Sequence, residues 1–279
     1  MRRKVKRIAE VFGYPVKMVE WIRKNEGRCP FTKQNCTKQS RLLETPLGIC
    51  SVQVGQDFIV ICPERLLDGE QPYFLKDLTA EVFGEMENVI AFSEVPVKGV
   101  GTFDFVVVKH KPLRPDVEDF FVVEIQTDQT TGTGALVRAF EQLMEKGEMP
   151  NHVNFGLNTY DTIKRSTTQI LNKGILMERW EKKIFWLIQK HAYENFRKRY
   201  SFKERYSPDD PIVLQIYDLL GEGERFSLKL EGKVSFSVST FFKALRGRKG
   251  LPSLRRFQEL LEGKVRAHIQ LTLATRGGE

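Results

Sequence analysis

Three polar groups sit in two short apolar strands of this chain: Asp104 within Thr102-Phe-Asp-Phe-Val-Val-Val-Lys109, and Glu124 and Gln126 within Phe120-Phe-Val-Val-Glu-Ile-Gln-Thr-Asp128. Side chains alternate along a strand, so Asp104 leaves its strand opposite Phe103 and Phe105, while Glu124 and Gln126 share one face. An acid on one strand then faces an acid and an amide on the next. Burying unpaired carboxylates is costly or shifts their pKa, so a cation is the natural partner and metal-assisted chemistry the natural use. A lone acid in an apolar strand is more often an edge residue facing water. Here both strands carry the pattern, joined by a Pro- and charge-rich connection from His110 to Asp119.

Asp-x19-Glu-x-Gln on consecutive strands, with Gly-rich sequence before the first and after the second, resembles the PD-(D/E)xK nuclease core. In that resemblance Gln126 stands where the usual pattern has Lys.

All four cysteines fall between positions 29 and 62, as Cys29-x6-Cys36-x13-Cys50-x11-Cys62. Clustered cysteines in a reducing compartment more often bind metal than form disulfides. The spacing lacks the tight Cys-x-x-Cys knuckles of common zinc modules, and four buried free thiols are the plainer alternative. The flanking residues add to the spacing: Ile8-Ala-Glu-Val-Phe-Gly-Tyr-Pro15, Cys29-Pro-Phe, Cys36-Thr-Lys, Pro46-Leu-Gly-Ile-Cys50-Ser-Val and Ile61-Cys62-Pro. Together with the two acid-bearing strands they resemble the NotI-like restriction endonucleases, over roughly the first half of the chain. The resemblance implies an N-terminal module holding an iron ion on Cys29, Cys36, Cys50 and Cys62, ahead of the nuclease core. Tetrathiolate sites accept zinc as well as iron.

Composition permits this function and excludes others. An apolar fraction of 41% with 29% charged residues is that of an ordinary globular protein. There is no apolar run of membrane-spanning length, and the basic start has no signal-peptide core behind it. The net charge of +8 is compatible with a polyanionic partner. Basic residues crowd the first seven positions, the segment Arg197 to Arg205 and the segment Lys243 to Arg256. Aromatic residues interleave the second and glycines the third, which suits a phosphate backbone. His110, His152, His191 and His268 are scattered without ligand spacing, and neither a phosphate-binding Walker loop nor a Gly-x-Ser-x-Gly elbow is present. Nucleotide-driven and acyl-transfer chemistry therefore drop out.

The elements that must position these residues follow from periodicity. Helices are expected over Lys4 to Ala9 and Val16 to Lys24, with Pro15 in the turn or first helical position between them. A helix over Phe74 to Met86 precedes a strand at Val89 to Val97, a turn at Lys98 to Gly101, and the Asp104 strand as hairpin partner. Thr130 to Gly134 reads as a strand-to-helix turn, whose amides offer a weaker phosphate-binding alternative. The following helix, Ala135 to Glu145, carries an apolar stripe at Leu136, Phe140, Leu143 and Met144. A helix around Tyr160 to Leu171 and a buried strand from Ile184 to Gln189 come next. Beyond Ser207, Ile212 to Leu220 fits either a strand or a helix. Phe226 to Val238 fits two short strands joined at Glu231-Gly232, and Ser253 to Leu261 fits a helix.

The expected architecture is α/β, a restriction-endonuclease-like mixed sheet flanked by helices, with a small four-cysteine module. The division is 1–73 for the N-terminal helices and cysteine module, 74–206 for the nuclease core, and 207–279 for a region completing the core or serving DNA specificity. The expected chemistry is Mg²⁺-dependent hydrolysis of double-stranded DNA by a homodimeric type II restriction endonuclease, leaving 5′-phosphate ends, in a prokaryotic cytoplasm. Asp104, Glu124 and the carbonyl of Ile125 would hold Mg²⁺, and Gln126 would orient the water, since an amide cannot be a general base. Glu94 is the favoured third carboxylate, with Glu81 and Glu85 as alternatives. No membrane or nucleotide cofactor is expected. Another nuclease of the superfamily, or a non-catalytic DNA-binding module with a four-cysteine metal site, remain the alternatives.

Overall fold

A computed structural model describes residues 5–67, 73–222 and 225–276. The first four positions of the basic N-terminal stretch lie outside them. The chain begins with strands β1 (Lys6–Val11) and β2 (Tyr14–Pro15), then a short helix α1 (Val19–Lys24). The helix expected over Lys4 to Ala9 is thus a strand. Its Ile8, Ala9, Glu10 and Val11 are all buried, and antiparallel pairing with β3 (Ile49–Val54) meets their backbone needs. Pro15 belongs to β2, and the helix after it starts three residues later than expected.

Strand β4 (Asp57–Val60) pairs with β3, and helix α2 (Tyr73–Phe83) follows a 3-10 turn at Pro63–Leu67. Then come β5 (Val89–Val97), β6 (Gly101–His110) and β7 (Val117–Gln126), an antiparallel run that includes the expected β5–β6 hairpin. A small ribbon, β8 (Thr130–Thr131) with β9 (Gly156–Leu157), brackets α3 (Thr133–Lys146). Gly132, in the left-handed region at φ 77°, makes the turn into α3. The α3 stripe of Leu136, Phe140 and Leu143 packs on Ile8, Val11 and Ile49.

Helix α4 (Thr159–Trp180) leads to β10 (Ile184–Gln189), which lies parallel to β7, and α5 (Lys190–Arg199) follows. Strand β11 (Ile212–Glu222) resolves the strand-or-helix ambiguity. One of its edges carries β12 (Arg225–Phe236) throughout; the other takes β10 at Ile212 to Tyr217 and β4 at Leu219. The turn expected at Glu231-Gly232 is a β-bulge within the single strand β12: Gly232 faces Ile216 and Leu230 faces Tyr217, which leaves Glu231 as the extra residue. Helices α6 (Val238–Arg246) and α7 (Leu254–Arg276) complete the chain.

The result is a mixed α/β fold on one ten-stranded sheet, whose order runs β2-β1-β3-β4-β11-β10-β7-β6-β5, with β12 alongside β11. The strands of the cysteine region and those of the acid pair therefore belong to the same sheet. Gln189, buried at the end of β10, ties the halves together by accepting from the Val60 amide at 2.8 Å and donating to the Phe58 carbonyl at 2.5 Å. Among the described residues no helix is long and apolar enough to cross a membrane.

Helix α4 is drawn tightly onto β11. A Cβ on Gly174 would lie 2.5 Å from Cδ1 of the fully buried Ile212. Gly174→Val is therefore expected to destabilise the protein by about 1–3 kcal/mol in urea unfolding, the usual cost of overpacking a core. A neutral result would mean that α4 does not need this close approach.

Candidate functional site

Glu124 and Asp104 stand opposite each other where β6 and β7 stop pairing. The ladder runs through Phe105 and Val123 and ends there. Beyond it the carboxylates take over the backbone's hydrogen bonds: the Ile125 amide donates to Asp104 Oδ2 at 2.7 Å, and the Asp104 amide to Glu124 Oε1 at 3.4 Å. The alternation of β6 breaks at the same place. Phe105 packs with Val107 on one side of the sheet, but Phe103 joins the core containing Val122 on the other. Phe103 and Phe105 were expected to share the face opposite Asp104; Phe103 instead joins the other core, just past the last pair of the β6–β7 ladder.

The acids are buried unequally. Glu124 is 2% exposed and Asp104 partly exposed. Burial first, and the charge of Asp104 second, push the Glu124 carboxyl up to about 7, against the pull of a lysine. That lysine is Lys173 of α4, 4% exposed, whose Nζ lies 2.5 Å from Glu124 Oε2 and donates to the Thr102 carbonyl at 2.7 Å. Asp104 is also raised, by burial.

Glu94 sits in β5 between Ser93, paired with Phe105, and Val95, paired with Phe103, so its ladder position faces Asp104. It adopts a left-handed φ of 53°, a strained conformation for a residue inside a strand. Its charge acts on Asp104. The alternative acids are engaged elsewhere: Glu81 accepts from Lys233 Nζ and Tyr206 Oη, and Glu85 pairs with Lys109 at 2.6 Å. Gln126 follows at the end of β7, half-buried, its Nε2 donating to the Thr127 carbonyl at 3.0 Å. Its Oε1 is the end of that amide that can accept from a water.

The four cysteines line one cavity of about 120 Å³, together with Gly48 and Glu64. Cys29, Cys50 and Cys62 are buried and Cys36 partly so. Burial pushes the thiols of Cys36, Cys50 and Cys62 up, and Cys50 Sγ accepts from the Gly13 amide at 3.3 Å. The donor set fits one thiolate-bound ion in kind. The sulfurs are not drawn together, however: among the described residues no three His, Cys, Asp or Glu side chains are gathered closely enough to hold a metal ion. Lys38 lies against this cavity with its ammonium on the Ile61 carbonyl at 2.7 Å; burial lowers its pKa, and Cys62 leads the thiols that oppose this.

Sequence reasoning missed several groups. Glu64 lines the cysteine cavity, and its carboxyl is pushed up by burial and then by Glu94, so the cavity adjoins the acid pair through two glutamates. Asp128, buried just past Gln126, accepts from Thr159 Oγ1 at 3.1 Å and faces His191 Nε2 at 3.5 Å. Lys173 had a legible signal. It falls on the helical stripe Ile163, Ser166, Ile170, Lys173, Met177, where a charged residue among buried ones demands a partner.

Because the folded protein keeps the Glu124 proton where the unfolded chain has released it, Glu124's contribution to stability is full below about pH 4.5 and is lost as the pH rises to about 7. In metal-free buffer, Glu124→Gln should therefore gain stability relative to the parent across that window, by on the order of 3 kcal/mol in urea unfolding. Parallel curves for the two proteins would show that Glu124 is ionised throughout. No protein-family model matches this chain, and no curated protein matches it.

Proposed function

We propose that the chain is a Mg²⁺-dependent, site-specific endonuclease of the type II restriction class, acting on double-stranded DNA as a homodimer. The observation that carries the reading is the acid pair itself: Asp104 and Glu124, facing one another at a break in the ladder, with Glu94 across from Asp104. Two carboxylates fixed by backbone amides offer hard oxygen donors, the kind Mg²⁺ selects. The ion, when bound there, would polarise a phosphodiester and lower the pKa of its water.

The chain's own residues would do the rest. Asp104 is oriented by the Ile125 amide, and Glu124 is held between the Asp104 amide and Lys173. Gln126 Oε1 would accept a hydrogen bond from the attacking water and aim the water's lone pair at phosphorus. Two of the basic segments support a DNA partner by converging: the Lys249 amide donates to the Arg199 carbonyl at 2.9 Å, and the Ser201 amide to that of Ala244 at 3.4 Å. Arg199 and Lys164 lie 4.5 and 4.2 Å from the ring centroid of Tyr160, in the first turn of the helix that reaches the acids. A palindromic DNA site would match a two-fold protein. For the cysteine cavity we propose a structural iron ion, zinc being the alternative. One observation favours a second reading, in which the protein binds DNA without cutting it: Lys173 already occupies Glu124 Oε2.

Plasmid and genomic DNA incubated with the protein should give discrete bands with Mg²⁺ and none with EDTA. Asp104→Asn and Glu124→Gln should each slow cutting at least about 100-fold. Intact cutting by either variant would place the chemistry elsewhere, and a gel shift without cutting would favour the second reading. Elemental analysis should find about one iron or zinc per chain, with Cys50→Ser losing it and melting at lower temperature. Metal-free protein with an unchanged melting point would make the cysteines a plain thiol core.

A further inference from the structure

Lys173 is an expensive residue to place where it is. It is almost fully buried, and its ammonium bridges Glu124 Oε2 and the Thr102 carbonyl and lies 5.5 Å from the centre of the Phe103 ring. Burying such a pair adds little to stability over an apolar pair of similar volume. The next residue is the glycine whose absent side chain lets α4 close on β11. The helix is thus built to bring an ammonium to the acid pair.

The β7 pattern leaves a complementary gap. Two residues after Glu124, on the same face, stands Gln126, an amide turned partly back onto its own strand through Thr127. The site therefore has one amide on the strand and one ammonium from the helix, both beside the same carboxylate.

We propose that Lys173 is a positioning residue for the reaction, supplying from α4 the positive charge that β7 lacks at Gln126. It fixes Glu124 by Oε2, so that Oε1 stays turned towards Asp104, and it sets a cation beside the position of the phosphate. It forms no covalent bond and transfers no proton in this role. The inference rests on the nuclease reading.

Exchanging the two groups tests it. Lys173→Gln keeps a donor for the Thr102 carbonyl and removes the charge; Gln126→Lys combined with Lys173→Gln moves the ammonium to the strand. Lys173→Gln is expected to lower kcat for DNA cutting at least about 100-fold, the usual loss when a preorganised electrostatic group is removed. Its Mn²⁺ affinity by calorimetry should be equal to or tighter than that of the parent, because a neighbouring cation is gone. The exchanged variant should regain at least about tenfold over Lys173→Gln, and Lys173→Arg should lie between Lys173→Gln and the parent.

Three results would overturn the proposal: Lys173→Gln cutting within about tenfold of the parent, loss of its Mn²⁺ binding, or an exchanged variant no faster than Lys173→Gln. The second and third would make Lys173 a strut of the fold. If the unaltered protein cuts no DNA with Mg²⁺, the nuclease reading itself fails, before any variant is compared.

Discussion

The structure turns on the point where β6 and β7 cease to pair. A sheet normally satisfies its backbone with its own ladder, and a break inside the molecule leaves amides that need acceptors. Asp104 and Glu124 supply them, taking the Ile125 and Asp104 amides on their carboxylates. The same atoms that would bind a cation thus hold the strand ends in place. The cost is two acids close together in a buried setting, which is why Glu124 is pushed up to about 7.

Everything around the break answers that charge. Helix α4 comes in over β11, close enough that Gly174 has no room for a side chain, and delivers Lys173 to Glu124. From the other direction β5 brings Glu94 opposite Asp104, with a left-handed backbone. A strained residue at such a place is the pattern expected of a site that trades local stability for function. The charge of Glu94 also raises the carboxyl of Glu64, which lines the cysteine cavity. The buried ion pair of Arg65 and Glu10, 3.0 Å apart, lies one residue beyond Glu64 and anchors that turn to β1.

Where the sequence was misread, one physical cause recurs: short apolar runs do not announce their partner. Ile8 to Val11 fits a helical turn as well as a strand until β3 offers it a ladder, and Glu10 hides its charge only because Arg65 and Ser51 meet it there. Glu231-Gly232 has the composition of a turn, yet β11 continues past it, so the chain absorbs one extra residue as a bulge. Strong periodicity over a longer span was safer, as in α3, whose expected stripe is the buried one apart from the partly covered Met144.

The sequence by itself determined that Glu124 and Gln126 share one face of their strand, since strand alternation is a local rule, and that four cysteines fall within one short stretch. It also placed Glu94 in the strand that pairs with Asp104. Only the tertiary structure decided that the cysteine strands and the acid strands share one sheet, that Glu81 and Glu85 turn to other partners, and that Lys173 comes to Glu124. Those outcomes join residues 24 or more positions apart. The energy of such contacts comes from burial and charge compensation between elements, which no local pattern encodes.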